Sequence, residues 1–373
     1  MKVLFLSAGN SIHTVKWVNA LARRGNEVHL IYNKNHTPVE DMLDQNIICH
    51  CLKYGGTLGY YLNALELKKI TKVIKPDVIN VHFASGYGTL ARIARIGPVL
   101  LSIWGSDVYD FPYESKIKNI ILKRNVKYAD MIASTSYCMA RQLRKVMEDK
   151  NLNIDVTPFG VDICQFNPMR FEKKESEDIL IGNIKILRPK YGIDIFIKSI
   201  SLLLDMLKKD GMSDVAKRIK VEIYGDGEQK EELMKLTEEL ALKEVVHFMG
   251  KIPNVEVPEK LSNFDIFCAT SVLNSESFGV AVVEAMAMEV PVVVSDVDGF
   301  SEVVENQKTG IIVEKGDIEK LADALKKMIL NPDYRKELGK SGRKRVKELY
   351  NWDDNVTTME KLYKKMLMLH LKQ

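Results

Sequence analysis

No apolar run in the 373 residues is long enough to cross a bilayer. The opening stretch, KVLFLSAGN, leads straight into a polar segment without a small-residue cleavage site, so it reads as a first strand rather than a signal peptide. Cysteine is scarce. Five residues, an odd number widely scattered, argue against a disulfide framework and for a reducing, cytoplasmic compartment. Cys49-His50-Cys51 has no second pair at ligand spacing, and adjacent strand residues point to opposite faces, so no metal site is expected. The turn Ala8-Gly9-Asn10-Ser11 is not a G-x-G-x-x-G fingerprint. Internal repeats and low-complexity tracts are absent, and no nucleic-acid-binding motif accompanies the positive charge.

What is present is a chain 46% hydrophobic and too long for one comfortable core, so two domains are expected. Short apolar strands alternate with helices. Lys2–Ser7, Glu27–Tyr32, Val78–His82, Val99–Ile103 and Met131–Ser134 read as strands of one doubly wound sheet. Ile179–Ile184, Lys220–Tyr224, Val245–Met249, Ile266–Ala269 and Val290–Val294 read as a second, completed by Ser301–Val304 and Gly310–Val313. Charge divides unevenly: residues 1–167 carry 21 Lys and Arg against 14 Asp and Glu, the remainder 33 against 36. Lys116, Lys118, Lys123, Arg124, Lys127, Arg141, Arg144 and Lys145 make up much of the excess. They are either solvated helix faces or a surface for anionic lipid or a lipid-linked acceptor, peripheral to the inner face of the membrane.

The stretch Asp265–Gly299 sets polar chemistry between two buried strands. Ser277, Phe278 and Gly279 open a helix whose first-turn N–H groups favour phosphate. Glu276 and Glu284 bracket its start; in a continuous helix they would stand roughly 12 Å apart along the axis. That is beyond the ~5–10 Å of a glycosidase carboxylate pair, and suits a ligand with phosphate in the middle and hydroxyls at both ends.

The string ESFGVAVVEAMAMEVPVVVSDVDGFSEVV resembles the E-x7-E region of retaining GT-B glycosyltransferases, family 4 or group 1, and the likeness extends over most of the chain. The resemblance implies two Rossmann-like doubly wound domains facing across a cleft. It implies that Glu276 contacts the transferred sugar, that the main chain of Ser277, Phe278, Gly279 and Val280 holds a diphosphate, and that Glu284 binds ribose. Lys185 and Lys190 match the cations that clamp the diphosphate, with Arg188 able to replace one of them. Gly225 and Gly227 offer a second backbone surface at the nucleotide, and Gly250 and Lys251 lie where relatives enclose the base.

On the acceptor side, Gly9, Asn10 and His13 follow the first strand, and His82 ends the strand Val78–His82. Trp104-Gly105-Ser106-Asp107 stands where relatives read H-G-[ST]-D. Asp107 is retained as a catalytic candidate, while Trp104 replaces an imidazole and either stacks on sugar or belongs to the core. T-P-F-G-V-D…F-N-P and the charge run Arg170–Asp178 place the boundary between domains 1–167 and 168–351, with residues from about 352 to 373 returning to the first. The expected activity is metal-independent, retaining transfer of a sugar from a UDP-, GDP- or ADP-sugar to a glycan or lipid-linked acceptor, without a cofactor. A non-catalytic nucleotide-sugar-binding subunit and a sugar-nucleotide epimerase are the alternatives.

Overall fold

The computed structural model describes residues 1–39, 42–173 and 176–370. Residues 174 and 175, inside the expected charge run Arg170–Asp178, and residues 371–373, at the end of the expected returning segment, lie outside the described residues. The chain forms two compact units, Met1–Phe159 with Asp353–Gln373, and Gly160–Trp352.

The first unit is built on a seven-stranded sheet: β1 (Lys2–Leu6), β2 (Glu27–Asn33), β3 (Ile48–Leu52), β4 (Val78–His82), β5 (Val99–Ile103), β6 (Met131–Ser134) and β7 (Asp155–Val156). Their order is β3-β2-β1-β4-β5-β6-β7, every pairing parallel. Helices cover the sheet, so VINVH of β4 and VLLSI of β5 are buried at all positions, as near-continuous apolar strands must be. The final helix, Trp352–His370, joins this unit. Val356, Met359, Tyr363 and Met366 are buried, and Asn80 Nδ2 donates to the Tyr363 hydroxyl at 2.7 Å.

The second unit holds β8 (Ile179–Ile184), β9 (Ile219–Tyr224), β10 (Val246–Gly250), β11 (Ile266–Ala269), β12 (Val292–Ser295) and β13 (Ile311–Val313). The order is β10-β9-β8-β11-β12-β13, again all parallel. Residues 160–167 belong here, ahead of the boundary the charge run suggested, because hydrogen bonds tie them to the far end of this unit. Val161 N donates to Tyr350 O at 2.8 Å, Trp352 N to Val161 O at 3.0 Å and Arg343 Nη1 to Phe166 O at 2.8 Å. Ser301–Val304, expected in the sheet, lies mostly in the helix Asp298–Val303.

Candidate active site

In an open parallel sheet the order of strands reverses at one point, and the loops leaving the two central strands diverge there at their carboxyl ends, which opens a place for a ligand. In the second sheet that point lies between β8 and β11. The loop after β8 carries Lys185, Arg188 and Lys190; the loop after β11 carries Glu276. Lys185 Nζ is 2.6 Å from Glu276 Oε2 and 4.5 Å from the centre of the Tyr191 ring, and Lys190 Nζ is 4.9 Å from that same ring. Two ammonium groups thus stand by a single tyrosine ring, whose π-face attracts both cations, and one of them is paired with the Glu276 carboxylate.

Burial alone would lower the Lys185 ammonium, but the Glu276 carboxylate, Tyr191 and the more remote charge of Glu284 outweigh it and leave the pKa raised. Lys185 is therefore a fixed cation at neutral pH. Glu276 is itself buried, 9% exposed, so its charge is held against a partner rather than against water.

The surrounding glycines explain how these side chains are aimed. Gly225 has φ +140, and a Cβ there would lie 1.9 Å from Lys185 O; at Gly227 it would lie 2.3 Å from Leu187 O. Lys185 N donates to Tyr224 O at 2.9 Å and Leu187 N to Asp226 O at 3.1 Å. Both glycines, expected to offer backbone near the nucleotide, admit the main chain of the loop from Lys185 to Leu187. Gly192, at φ +60, similarly lets its loop press on Thr270, whose hydroxyl donates to Gly192 O at 2.8 Å.

Gly299 does the same for Glu276: a Cβ there would meet Glu276 O at 2.4 Å and Phe278 N at 2.5 Å. The following helix is Val280–Ala287, with Gly279 at φ +85 as its N-cap. Ser277–Gly279 is consequently a turn before the helix and not its first turn, and the two glutamates do not stack along one axis. Phe278 is buried with its ring edge-on to Tyr350, 5.5 Å between centroids, so it has only main chain to offer a ligand. Glu284 is half-buried on the helix. Gly250, at φ +75, accepts a hydrogen bond from Gly225 N at 2.8 Å. Arg188 and Lys251 are exposed, and among the described residues neither pairs with a carboxylate.

The reversal point of the first sheet, between β1 and β4, is built differently. His82 ends β4 but does not face outward as expected: it is 1% exposed, its Nδ1 is 3.0 Å from Ser7 Oγ, and its ring lies 4.2 Å from that of Trp104. Burial, with a smaller contribution from His13, lowers its pKa to about 3, so it stays neutral. Trp104 is 9% exposed, and His13 stacks on Phe159 at 4.2 Å while meeting Trp104 edge-on at 5.7 Å. Asp107 is also corrected. It is 1% exposed, and its oxygens accept from Ala84 N at 2.9 Å, Trp104 N at 3.1 Å and Gly105 N at 2.9 Å. Its carboxylate organises the turn. Gly9 is buried where a Cβ would meet Pro38 Cγ at 2.6 Å, whereas Asn10 is exposed.

Comparison with known proteins adds to this geometry. The family described as glycosyl transferases group 1 matches residues 166–345, and glycosyl transferase 4-like matches residues 2–136. N-acetyl-alpha-D-glucosaminyl L-malate synthase of Bacillus anthracis is 23% identical over 92% of this chain and 90% of its own. The chain belongs to the group 1 glycosyltransferases. Phosphatidyl-myo-inositol mannosyltransferase of Mycobacterium leprae is 31% identical over 44% of this chain and 42% of its own. The GT-B fold is shared with sucrose-phosphate synthase of Thermosynechococcus elongatus, TM-score 0.84 at 18% identity over 99% and 100% of the two chains. It is shared too with Anabaena HepE, solved with UDP, TM-score 0.79 at 16% identity over 98% and 100%.

Within this glycosyltransferase the second unit brings Lys185, Lys190 and Glu276 together, with Glu284 close enough to act on Lys185 through its field. Two residues escaped sequence reasoning. Tyr191 follows Lys190 directly, and its place between a lysine and a glycine was the available signal. Asn183 is 2% exposed; its Nδ2 donates to Cys268 O at 2.7 Å, while its Oδ1 has no partner among the described residues. It lines a small recess with Lys185, Tyr191, Thr270 and Gly279, and an amide one residue before the end of the apolar strand ILIGNI was the sign to look for.

Proposed function

We propose that the second unit binds a nucleotide-diphosphate sugar and that the enzyme transfers the sugar with retention at its anomeric carbon. The observation that carries this reading is the meeting of Lys185 and Lys190 at the Tyr191 ring, with Glu276 paired to Lys185, at the reversal point of the sheet. Lys185 and Lys190 offset the charge that builds on the departing diphosphate, an electrostatic effect worth several kcal/mol when the cations are fixed in advance. N–H groups at the Gly279–Val280 turn add donors. Glu276 positions the sugar, and Glu284 takes the ribose hydroxyls. The acceptor O–H approaches from the face the diphosphate leaves; the new C–O bond forms as the C–O bond to phosphate breaks, and the proton passes to the departing phosphate oxygen. Products are a glycoside and a nucleoside diphosphate, with no metal step required.

The acceptor class is a glycan or a lipid-linked hydroxyl. The Mycobacterium relative, named for phosphatidyl-myo-inositol, makes the lipid a reasonable first trial. UDP is the first nucleotide to test, since HepE binds it, with GDP and ADP beside it in a thermal-shift screen.

The ion pair gives the deciding experiment. A diphosphate arriving at Lys185 competes with Glu276 for the ammonium. Glu276→Gln, which keeps shape and removes charge, is expected to tighten nucleoside diphosphate binding several-fold while lowering turnover roughly a hundredfold. Turnover and affinity that both match the parent would remove Glu276 from the site. Activity is expected to persist in chelator, and a loss restored by a divalent ion would overturn the metal-free step.

A further inference from the structure

Sequence spacing excludes a four-ligand metal site at Cys49-His50-Cys51, but the fold leaves the two cysteines another use. They lie in β3, at the edge of the first sheet. β3 pairs in parallel with β2, placing Cys49 opposite Leu30 and Cys51 opposite Tyr32. Side chains alternate along a strand, so the two thiols share one face and the imidazole between them takes the other. On that other face His50 Nε2 lies 3.0 Å from His29 Nδ1, and His29 Nε2 lies 3.0 Å from Glu27 Oε1, which engages both rings. Cys49 and Cys51 are both exposed. Burial raises the Tyr32 hydroxyl above the usual phenol range and the charge of each thiol adds to this, so both sulfurs stand within reach of one hydroxyl.

Two thiols at this spacing can share an atom but cannot join each other. Successive residues on one face of a strand are ~6.6 Å apart, whereas a disulfide draws the Cβ atoms to ~3.8 Å. Oxidation to a disulfide would therefore pull β3 out of its ladder. A single atom bound to both sulfurs at ~2.3 Å holds them ~4.6 Å apart, which rotation about the two side chains reaches from an undistorted strand. Among the described residues no third His, Cys, Asp or Glu stands close enough to complete a larger metal site. Zinc, which takes four ligands in a structural site, is thereby excluded. A soft cation satisfied by two thiolates in line is not.

We propose that Cys49 and Cys51 form a two-coordinate site for a soft monovalent cation of the Cu(I) type on the exposed face of this edge strand. Two S–H bonds break and two metal–sulfur bonds form, giving an anionic bis-thiolate complex. Both protons leave to solvent, and no electron is transferred. Burial pushes the Cys49 thiol up, but a coordinating thiol is deprotonated outright by its metal. The remaining cysteines supply the controls: Cys138 and Cys268 are buried, and Cys164 is exposed with no second cysteine beside it in the chain.

Anaerobic titration of the reduced full chain with Cu(I), delivered from a bicinchoninate competitor, tests this. The parent is expected to take up one Cu(I) per chain. Cys49→Ser and Cys51→Ser each remove half of a chelate and are each expected to weaken binding roughly a hundredfold, whereas Cys164→Ser should bind as the parent does. Both β3 positions are exposed, so the melting temperatures of the single variants should match the parent. A second measurement needs only the parent: with Cu(I) bound, mass mapping after iodoacetamide should find Cys49 and Cys51 both protected and Cys164 still labelled. Neither readout uses a nucleotide, so the outcome is independent of the donor-site reading. Affinity that survives either β3 substitution, or a loss that follows Cys164 instead, would overturn the proposal. So would protection of one β3 thiol without the other, or a single metal shared between two chains on sizing.

Discussion

The two units reverse strand order in the same way, yet they furnish the reversal point with opposite materials. After β8 and β11 stand charged side chains whose partners are one another, with Lys185 2.6 Å from Glu276. After β1 and β4 stand aromatic rings and a neutral histidine sealed beneath Trp104. One topology thus supports both a site that presents charge and one that presents shape. The difference arises from where each buried polar group finds its partners: Asp107 accepts from three main-chain donors, whereas Glu276 is answered by the Lys185 side chain. A motif residue therefore marks a place in the fold, and its partners decide whether it touches substrate.

The sharpest way to break the comparison is to remove the charge on one side of it. Lys185→Ala deletes a cation at the proposed diphosphate site and strands a buried carboxylate, so turnover is expected to fall roughly a thousandfold. Asp107→Asn, which keeps the shape of a saturated group, is expected to cost stability before it costs chemistry. If turnover of Asp107→Asn collapses at unchanged melting temperature while Lys185→Ala remains active, the contrast between the units is wrong.

Next in size is a backbone test. Gly225→Ala places a Cβ 1.9 Å from Lys185 O at φ +140, so clash and strain act together and about 3 kcal/mol of the second unit's stability should be lost. Gly211, at φ +77 with nothing within 4 Å of a Cβ, is the control that isolates strain, and Gly211→Ala should cost about 1 kcal/mol. Equal melting temperatures for the two variants would mean that Gly225 is not needed for the approach of the Lys185 loop. Smaller again is Glu284→Ala. Loss of the proposed ribose contact should weaken nucleoside diphosphate binding about tenfold with little change in turnover at saturation, measured by titration and by rate on the same sample.

Much of this was legible in the sequence. β4, β5, β6, β8 and β11 lie where their apolar runs ended, because a strand buried on both faces reads as a near-continuous apolar run with only an occasional polar residue such as Asn80 or Asn183. The GT-B architecture and the family followed from the dense string around Glu276. Less legible were features that depend on contacts remote in sequence. Nothing near Gly225 indicates that Lys185 O will press on it, and nothing near His82 indicates that Trp104 will cover it. Ser301–Val304 looked like a strand because two valines raise β propensity, but the turn at Asp298 starts a helix that includes Ser301–Val303. The charged strip from Lys116 to Lys127 was visible as composition. Which of its cations lack partners required the positions of Glu114 and Glu148.

The smallest expected effect tests the sealed side. His82 has a pKa lowered to about 3 against 6.5 in the unfolded chain, so the folded unit holds it neutral while the unfolded chain takes up a proton as pH falls below 6.5. Its contribution is fully present above 6.5 and drains away as the pH drops towards 3. Between about pH 7 and about pH 5.5 this one group should remove about 1 kcal/mol from the first unit. His82→Gln keeps a polar partner for Ser7 and cannot take up that proton. Urea unfolding followed by tryptophan fluorescence, with Trp17 and Trp104 in the first unit, should show a shallower acid slope for the variant even if its stability at neutral pH is lower. Parallel slopes for parent and variant would mean that His82 titrates normally in the folded protein. The aromatic side of the comparison would then be open to water, and Trp104 would have to be reconsidered as a lid over an accessible histidine.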